Sequence, residues 1–433
     1  MKKTVFFVLL ACLTISNVLF AGGQKESDDP NAPITINYWT HEDPNRTKLE
    51  KRYIEEFETA HPNVTINRVV NSSSKMKELI LTAFAANQGP DIFNIPIEDE
   101  YSYIVNQRVA PVNLEAIGIK NNKELANRYI PNVLDSVYMD GQYYGLPLEL
   151  TNWCIYVNKN VFKDAGLNPD KDYPKTWEEM ASVSEKLTIH DGQIVTRRGF
   201  DFRYPYYLVS MLPMVEQLGG KLISDDGKKA IINDEAWIAF FDYMRAWGPA
   251  GKNLGSPTYT NARKLFNSNN NDIGMAMSGL YQIGRIKSDN PGFYDSGNWM
   301  VVPYPVFENA VRDVACNYYG HYLMVNAQKS NRQQQVSWEF IKYMLSHPEE
   351  YLEEVGIIQP TKKLMSSKTF TSMPYSDVFA NDMAKSHMVY YGENSAKLQE
   401  LVGEAVESVM HLGRSSEQAL ELLRAKSQEI LDR

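Results

Sequence analysis

Strand and helix patterns alternate regularly near the start of the chain, and this alternation constrains the fold more than any other feature. Segments rich in β-branched and aromatic residues show the alternation typical of strands, and the segments between them place apolar residues on one helical face. The predicted order is strand 34–39, helix 47–59, strand 64–70, helix 72–87 and strand 91–95. A chain that returns through a helix after each strand builds a parallel, doubly wound α/β sheet.

The loops that follow these strands are the first candidates for a binding site. In sheets of this kind, ligands bind beyond the carboxyl ends of the strands. Residues 39–42, 70–73 and 95–99 directly follow the three predicted strands. Because a rigid sheet holds such loops in place, their polar side chains can be positioned for recognition.

The length of the chain predicts more than one domain. Its 433 residues exceed what one ordinary hydrophobic core accommodates, so two or three domains are expected. Helix signals continue along the chain, and Thr176 and Glu179 have the spacing of a capping box that opens a helix ending near Leu187. Residues 395–431 predict two amphipathic helices that break near Gly413.

Charge and motif content exclude several classes of function. The net charge is −9, and the chain has no run rich in lysine and arginine, so nucleic acid is not an expected partner. The sequence contains no HExxH, CxxC, P-loop or GxSxG motif, and its seven histidines are scattered. We therefore expect no catalytic metal and no cofactor.

The first 21 residues have the pattern of a signal peptide. Lys2 and Lys3 precede an apolar stretch from Val5 to Phe20, and Ala21 begins a run of small residues suited to cleavage. The apolar stretch is short and interrupted by polar residues, which argues against a membrane anchor. The pattern predicts export to the periplasm or another extracytoplasmic space.

Cys12 leaves an alternative mode of export open. Residues 9–12 resemble a lipobox, so the protein could be lipid-anchored at Cys12. However, Cys12 lies very early, and an apolar run from Leu13 to Phe20 would then remain on the mature chain. A soluble secreted protein is therefore favoured over a lipoprotein.

Several phrases, in a fixed order along nearly the whole chain, resemble one family. They are Ile36-Asn37-Tyr38-Trp39, Gly89-Pro90-Asp91-Ile92-Phe93, Gly145-Leu146-Pro147-Leu148-Glu149, Pro174-Lys175-Thr176-Trp177-Glu178-Glu179, Met275-Ala276-Met277-Ser278-Gly279, Gly320-His321-Tyr322-Leu323-Met324-Val325 and Gly356-Ile357-Ile358-Gln359-Pro360. Each phrase alone is weakly specific, but the ordered set is similar to the family 1 extracellular solute-binding proteins. This group includes maltose- and other oligosaccharide-binding proteins.

The resemblance implies two doubly wound α/β lobes joined by crossover hinge strands, the type II arrangement of periplasmic binding proteins. The implied N-lobe comprises residues 31–149 and 320–370, and the implied C-lobe comprises residues 150–318 and 371–433. The implied hinge lies near residues 150 and 319. The crossover strands are expected at 146–158 and 318–325.

The same comparison raises a question about Cys154 and Cys316. Both fall just on the C-lobe side of the implied hinge, where antiparallel crossover strands run side by side. Export permits a disulfide between them, and buried free thiols are the alternative. Sequence alone does not decide between the two.

The residues expected to bind ligand follow from the implied cleft and from the chemistry of sugars, which have apolar ring faces and a rim of hydroxyl groups. Aromatic rings and planar polar side chains at the strand ends and at the hinge suit both features. The candidates are Trp39, His41, Glu42, Glu98, Asp99, Thr151, Asn152, Trp153, Tyr204, Ser278, Gly279, Tyr281, Tyr318, Tyr319, His321 and Gln359.

The resemblance implies a monomeric receptor that closes its lobes around a carbohydrate and delivers it to an ABC permease in the inner membrane. Two alternatives remain at this point. One is a secreted glycoside hydrolase or lyase-like enzyme, with Glu98 or Asp99 paired with Glu149. The other is a receptor of the same fold for a non-sugar solute such as a peptide or polyamine.

Overall fold

The computed structural model describes residues 31–224 and 228–432. The predicted signal peptide at 1–21 and the lipobox cysteine Cys12 lie outside this range. Within it, no helix combines the length and the apolar composition that crossing a bilayer requires.

Twelve strands are present in the described part of the chain, and they form two five-stranded sheets and one short hairpin. The strands are β1 Ile34–His41, β2 Val64–Asn71, β3 Ile92–Pro96, β4 Tyr138–Met139, β5 Gln142–Tyr143, β6 Leu146–Thr151, β7 Cys154–Asn158, β8 Ile189–Asp191, β9 Ile194–Asp201, β10 Ile273–Ser278, β11 Trp299–Val302 and β12 Tyr319–Val325. The first sheet has the order β2-β1-β3-β12-β6, the second has the order β11-β7-β10-β9-β8, and β4 pairs with β5. We call the parts built on the first and second sheets the N-lobe and the C-lobe.

Helices cover both sheets. They are α1 Pro44–Ala60, α2 Ser73–Ala85, α3 Glu100–Val105, α4 Asn122–Arg128, α5 Lys159–Asp164, α6 Pro169–Asp172, α7 Trp177–Leu187, α8 Tyr207–Ser210, α9 Leu212–Gln217, α10 Asp234–Trp247, α11 Ala262–Ser268, α12 Tyr281–Asp289, α13 Pro291–Asp295, α14 Asn331–Leu345, α15 Pro348–Glu350, α16 Lys362–Met365, α17 Lys368–Thr371, α18 Ser376–Met383, α19 Ser395–Met410 and α20 Ser416–Leu431. Single-turn 3₁₀ segments lie at Ile97–Asp99, Asp135–Val137 and Gly392–Asn394, and a π-turn lies at Tyr351–Val355.

The first five elements confirm the predicted parallel α/β unit. Strand β1 pairs in parallel with β2 on one side and with β3 on the other. Helix α1 begins three residues earlier than predicted, because the Asp43 carboxylate accepts a hydrogen bond from the Arg46 N–H at 3.1 Å and Pro44 occupies the first turn. Proline is favoured at this position because the missing N–H would have no helical partner there.

The chain leaves the N-lobe at a sharp break rather than along one continuous strand. The expected crossover strand at 146–158 is two strands, β6 in the first sheet and β7 in the second, separated by Asn152 and Trp153. Strand β12 returns between β3 and β6 and is antiparallel to both. The N-lobe sheet therefore contains both an outgoing and a returning strand, side by side.

Three hydrophobic clusters of described residues pack the interior, and they place the return to the C-lobe earlier than residue 370. One cluster lies under each lobe, and a third packs against the other face of the C-lobe sheet. Ile358, Leu364 and Phe370 belong to this third cluster, with Tyr156 of β7. The part of the expected N-lobe segment 320–370 that follows residue 358 therefore packs mainly against C-lobe residues.

Helix capping follows the sequence signals closely. The capping box of Thr176 and Glu179 is present at the start of α7. The predicted pair of C-terminal helices is confirmed as α19 and α20, which pack against α10 in the C-lobe. A second capping box, between Ser415 and Gln418, restarts the chain after the break.

The two cysteines are free thiols, so the suggested disulfide is wrong. Cys154 lies in the third cluster, where its Sγ is 3.5 Å from Asp382 Oδ2. Cys316 lies in the main C-lobe cluster and donates to the Val209 carbonyl oxygen at 3.2 Å. Both cysteines lie close to the implied hinge in the sequence, but their side chains pack in different clusters.

We expect two thiols and no disulfide in the exported chain. A protein lacking residues 1–21, denatured without reductant, should give two equivalents of thiol with Ellman's reagent. The native protein should react very slowly, because both sulfurs are fully buried and burial raises the pKa of both thiols. Absence of thiol in the denatured, unreduced protein would show that a disulfide forms.

Candidate functional site

A cleft of about 560 Å³ lies between the two lobes, at the carboxyl ends of β1 and β3. The N-lobe wall comes from residues at the ends of β1 and β3 together with β6 and β12. The C-lobe wall comes mainly from residues 201–206, from the start of α11 and from α12. The position agrees with the rule that parallel α/β sheets bind ligands beyond their strand ends.

Half of the predicted site residues line this cleft. They are His41, Glu42, Glu98, Asp99, Tyr204, Tyr281, Tyr319 and His321. Six of them follow or belong to N-lobe strands, and the other two, Tyr204 and Tyr281, bring aromatic rings to the opposite side. The structure thus gathers carboxylates, imidazoles and phenols around one cavity.

The other predicted residues lie beside or behind the cleft. Trp39 is half-buried against the N-lobe cluster, and Tyr318 donates its hydroxyl to the Met383 carbonyl oxygen at 3.0 Å. Thr151 and Asn152 are buried at the break between β6 and β7, where the Asn152 amide is 3.4 Å from the Phe379 carbonyl oxygen. None of these four side chains lines the cavity.

The four remaining predicted residues are also absent from the lining of the cavity. Trp153 is fully buried and packs against Tyr319 with ring centroids 5.2 Å apart. Ser278 donates to Gln282 at 3.2 Å, and a side chain on Gly279 would collide with the ring of Tyr281. Gln359 is buried in the chain that follows the π-turn.

His41, Glu149 and His321 form a buried polar cluster on the N-lobe wall. The two imidazole rings stack with centroids 4.2 Å apart, and His321 Nδ1 donates to Glu149 Oε1 at 2.8 Å. His41 Nε2 faces the same carboxylate oxygen at 3.9 Å. His41 ends β1, while Glu149 and His321 are paired across β6 and β12, so rigid strands hold all three groups.

The surroundings decide which of these groups carry charge. Burial lowers the pKa of His41 well below its usual value, and the positive charge of Arg46 lowers it further, so this ring is neutral. Burial raises the pKa of Glu149, but the hydrogen bond and charge of His321, with Arg46, bring it below the usual range. The cluster therefore offers an ionised acceptor beside a neutral ring.

The same three residues supply ligand types that Zn²⁺ accepts, and their ligand atoms lie within 4.8 Å of one another. The tautomer of His41 argues against a metal there. The Asn94 Oδ1 accepts from the His41 backbone N–H at 3.2 Å, so its Nδ2 donates to His41 Nδ1 at 2.6 Å. The ring proton of neutral His41 then lies on Nε2, the atom that would have to bind the metal, so hydrogen bonding accounts for the cluster.

Glu98 and Asp99 extend the acidic wall. Asp99 pairs with Lys77 at 2.5 Å, and Glu98 Oε1 accepts from Gln399 of α19 at 3.4 Å. Burial raises the pKa of Glu98, and the neighbouring charge of Asp99 adds to this. The Glu98 carboxyl group, which contacts Gln399 of the C-lobe helix α19, sits where the two lobes meet.

Arg203 dominates the C-lobe wall. Its guanidinium lies 4.2 Å from the ring centroid of Trp153, and the rings of Tyr206, Tyr281 and Tyr319 surround it at 5.4–5.6 Å. It also hydrogen-bonds the Tyr281 hydroxyl. Stacking on aromatic faces holds the guanidinium in a fixed plane beside the cavity.

One ion pair joins the lobes across the mouth of the cleft. Arg285 of α12 donates to Asp43 Oδ2 at 2.5 Å, and the Asp43 side chain is almost fully buried. Burial raises the pKa of Asp43, but Arg285 and Arg46 together hold it below the usual range. The contact between Gln399 and Glu98 is a second link between the lobes.

The sequence reasoning missed several residues of the cleft. Glu149 had been considered only as half of an enzymatic pair, and Arg203 and Tyr206 lie inside an aromatic-rich segment from which only Tyr204 was selected. The sequence feature that could have identified Arg203 as a cleft residue is its position among four aromatic residues. Nothing local marked Arg285 or Gln399, because distant helices bring them to the cleft.

Known proteins are similar to this chain over most of its length. The model of the bacterial extracellular solute-binding protein family matches residues 43–351. A Brucella abortus protein described as a binding protein is 25% identical over 262 residues, which cover 60% of this chain and 55% of that protein. The chain thus spans little more than half the length of this relative. A maltotriose-binding protein of Pyrococcus abyssi is 21% identical, covering 75% of this chain and 65% of that protein.

Solved structures share the fold. A solute-binding protein of an ABC transporter from Thermotoga lettingae, bound with α-D-tagatose, superposes with a TM-score of 0.79 at 18% identity, covering 92% of this chain and 99% of that one. At this identity the likeness establishes a common architecture of two α/β lobes. Since the family match covers well over half of the chain, the protein belongs to the bacterial extracellular solute-binding proteins.

Proposed function

We propose that this protein is the exported saccharide receptor of an ABC importer, which captures its ligand by closing two lobes and presents it to a membrane permease. The observation that carries the proposal is the cleft, because both walls contribute polar and aromatic side chains to one cavity. A ligand that contacts both walls would hold the lobes together. The predicted signal peptide supports export.

The chemistry of the cleft suits a saccharide. Hydroxyl groups both donate and accept, and the N-lobe wall offers acceptors at Glu98, Asp99 and Glu149 beside ring nitrogens. Tyr206 and Tyr281 supply aromatic surface on the opposite wall, where apolar sugar faces can pack. The maltotriose-binding relative and the tagatose-bound neighbour support the same ligand class.

A glycoside hydrolase is a weaker reading of the same cleft. Such an enzyme needs two carboxyl groups flanking the scissile bond. Glu98, Asp99 and Glu149 all belong to the N-lobe wall. The carboxyl group of the opposite wall, Asp201, is fully buried and ion-paired with Arg198 at 2.6 Å, and burial raises its pKa to about 7. Its oxygens also accept backbone N–H groups of its own surroundings, which indicates a structural role.

The proposed mechanism is a rotation of the lobes about the break at Asn152 and Trp153 and about the chain that enters β12 near residue 319. A ligand shifts this equilibrium only by its differential affinity for the closed state. Contacts that exist only when both walls meet, such as Arg285 with Asp43, contribute to that difference. The closed form would then dock on the permease.

Binding of a saccharide is the direct test of this function. Thermal shift and isothermal titration with a panel of neutral and acidic mono- and oligosaccharides should find at least one that raises the melting temperature by mass action. Chromatography of the recovered sugar should show it unchanged. A panel without any binder would contradict the receptor, and cleaved product would support the hydrolase.

Glu98→Gln should weaken saccharide binding by about tenfold, because a charge-assisted hydrogen bond to a sugar hydroxyl is lost. The melting temperature without ligand should change little, since Glu98 is half-buried and its side chain accepts one long hydrogen bond, from Gln399. Glu185→Gln is the matched control, because Glu185 is exposed and pairs with Lys252 outside the cleft. Equal affinities of the two variants would place the site elsewhere.

Arg285→Gln should shift the receptor toward the open form, because Asp43 would remain buried without its counter-ion when the lobes close. The expected results are a larger radius of gyration without ligand, measured by small-angle X-ray scattering, and about tenfold weaker saccharide affinity.

The control for this change is Lys252→Gln, which removes an exposed ion pair within the C-lobe. If Arg285→Gln and Lys252→Gln scatter alike and bind alike, the pair between Arg285 and Asp43 does not contribute to closure.

A further inference from the structure

Unlike Arg46 and Arg198, Arg203 has no carboxylate partner among the described residues. Arg46 pairs with Glu50 and Arg198 pairs with Asp201. Around Arg203, the described residues provide aromatic rings, the Tyr281 hydroxyl and Ser278 Oγ at 3.5 Å, and no carboxylate within 4 Å. Its partners therefore leave the charge of the guanidinium without a counter-ion on the wall of the cleft.

The Arg203 side chain is partly buried and borders the cleft, where an anion could reach its guanidinium. Aromatic faces attract a cation more weakly than a carboxylate or phosphate in a charge-assisted hydrogen bond does. The hydrogen bonds from Arg203 to Ser278 and Tyr281 both come from one nitrogen, Nη1. The other guanidinium donors have no hydrogen-bond partner among the described residues, and they form part of a planar fork that suits a carboxylate or a phosphate.

The charges of the two walls also favour a ligand with one negative group. On the C-lobe wall, Arg263 and Lys264 line the cleft beside Arg203, and neither forms an ion pair with another described residue. The N-lobe wall carries Glu98 and Glu149, which accept hydrogen bonds from hydroxyl groups and repel anions. A ligand that satisfies both walls presents hydroxyls to the N-lobe and a negative group to the C-lobe.

We infer that the saccharide bound by this receptor carries an anionic substituent, a carboxylate or a phosphate, and that Arg203 binds it. This inference rests on the proposed saccharide-receptor function and names the class of ligand for the same cleft. The Tyr281 hydroxyl and Ser278 orient the guanidinium, while Trp153 supports its plane. Arg203 would thereby determine specificity between acidic and neutral sugars.

The test compares ligands that differ only in charge. Isothermal titration of the exported chain would use oligosaccharides of a hexuronic acid, their neutral methyl esters, hexose phosphates and the corresponding neutral hexoses. We expect an acidic ligand to bind about 10- to 100-fold more tightly than its neutral counterpart, which is the contribution of a charge-assisted bidentate contact. The uronate and phosphate arms identify which anionic group is used.

Variants then assign the preference to Arg203. Arg203→Gln should abolish the difference between acidic and neutral ligands, and Arg203→Lys should retain part of it because the charge remains without the fork. Arg128→Gln is the matched control, since Arg128 forms an exposed ion pair with Glu124 in the N-lobe. The control should bind with the affinity of the unmodified protein.

The outcomes separate this inference from the proposed function. Equal or tighter binding of neutral sugars overturns the anionic ligand and leaves the saccharide receptor intact. Failure of every saccharide to bind removes the receptor function and this inference with it. If Arg203→Gln does not fold, the comparison of charged and neutral ligands on the unmodified protein still decides the matter, and Arg203→Lys tests the assignment.

Discussion

The junction between the two sheets is the constraint on which the rest of the molecule depends. The chain passes from β6 to β7 through Asn152 and Trp153 alone, and β12 returns beside β6 in the same sheet. Trp153 is fully buried at this point and packs against Tyr319, the first residue of the returning strand. Packing in protein interiors is dense, so such a contact resists gradual deformation. In the proposed mechanism, the lobes rotate about this short link and about the chain that enters β12.

The same junction brings the proposed ligand-binding groups together. Glu149 and His321 are paired on β6 and β12, a few residues from the break, and Arg203 lies on the ring of Trp153. The loop after β1 is held by a buried ion network. Glu50 accepts from Arg68 and lies close to Arg46, whose guanidinium donates to the His41 carbonyl oxygen. Removing one member of such a network costs about 3–5 kcal/mol, because it leaves a buried charge unpaired. Hinge and recognition thus depend on the same few contacts.

Local patterns predicted the first part of this structure and failed where distant segments meet. The βαβαβ unit follows from alternating and helical periodicity, and its topology alone places His41 and Glu98 at the edge where ligands bind. Arg285 comes to the cleft on a helix that follows β10, and no pattern in its own neighbourhood reveals that contact. The suggested disulfide was wrong for a related reason. Spacing along the chain does not show that Cys154 and Cys316 pack in different clusters.

The opposite charges of the two walls have a consequence for closure. Walls of opposite sign attract, yet each charged group is well hydrated while the cleft is open, so attraction alone gives a small net gain. Arg285 on the C-lobe wall pairs with Asp43 of the N-lobe. Arg203, Arg263 and Lys264 on the same wall form no ion pair with another described residue, so they lose water on closing without gaining a protein counter-ion. A ligand that supplies the missing partners converts that cost into a gain. Shifting such an equilibrium from 1:99 to 99:1 needs a difference in affinity of about 10⁴ between the two states. With the anionic ligand inferred above, the Arg203 guanidinium can contribute much of this difference in affinity between the open and closed states. Its counter-ion is supplied by the ligand and is absent before the ligand binds.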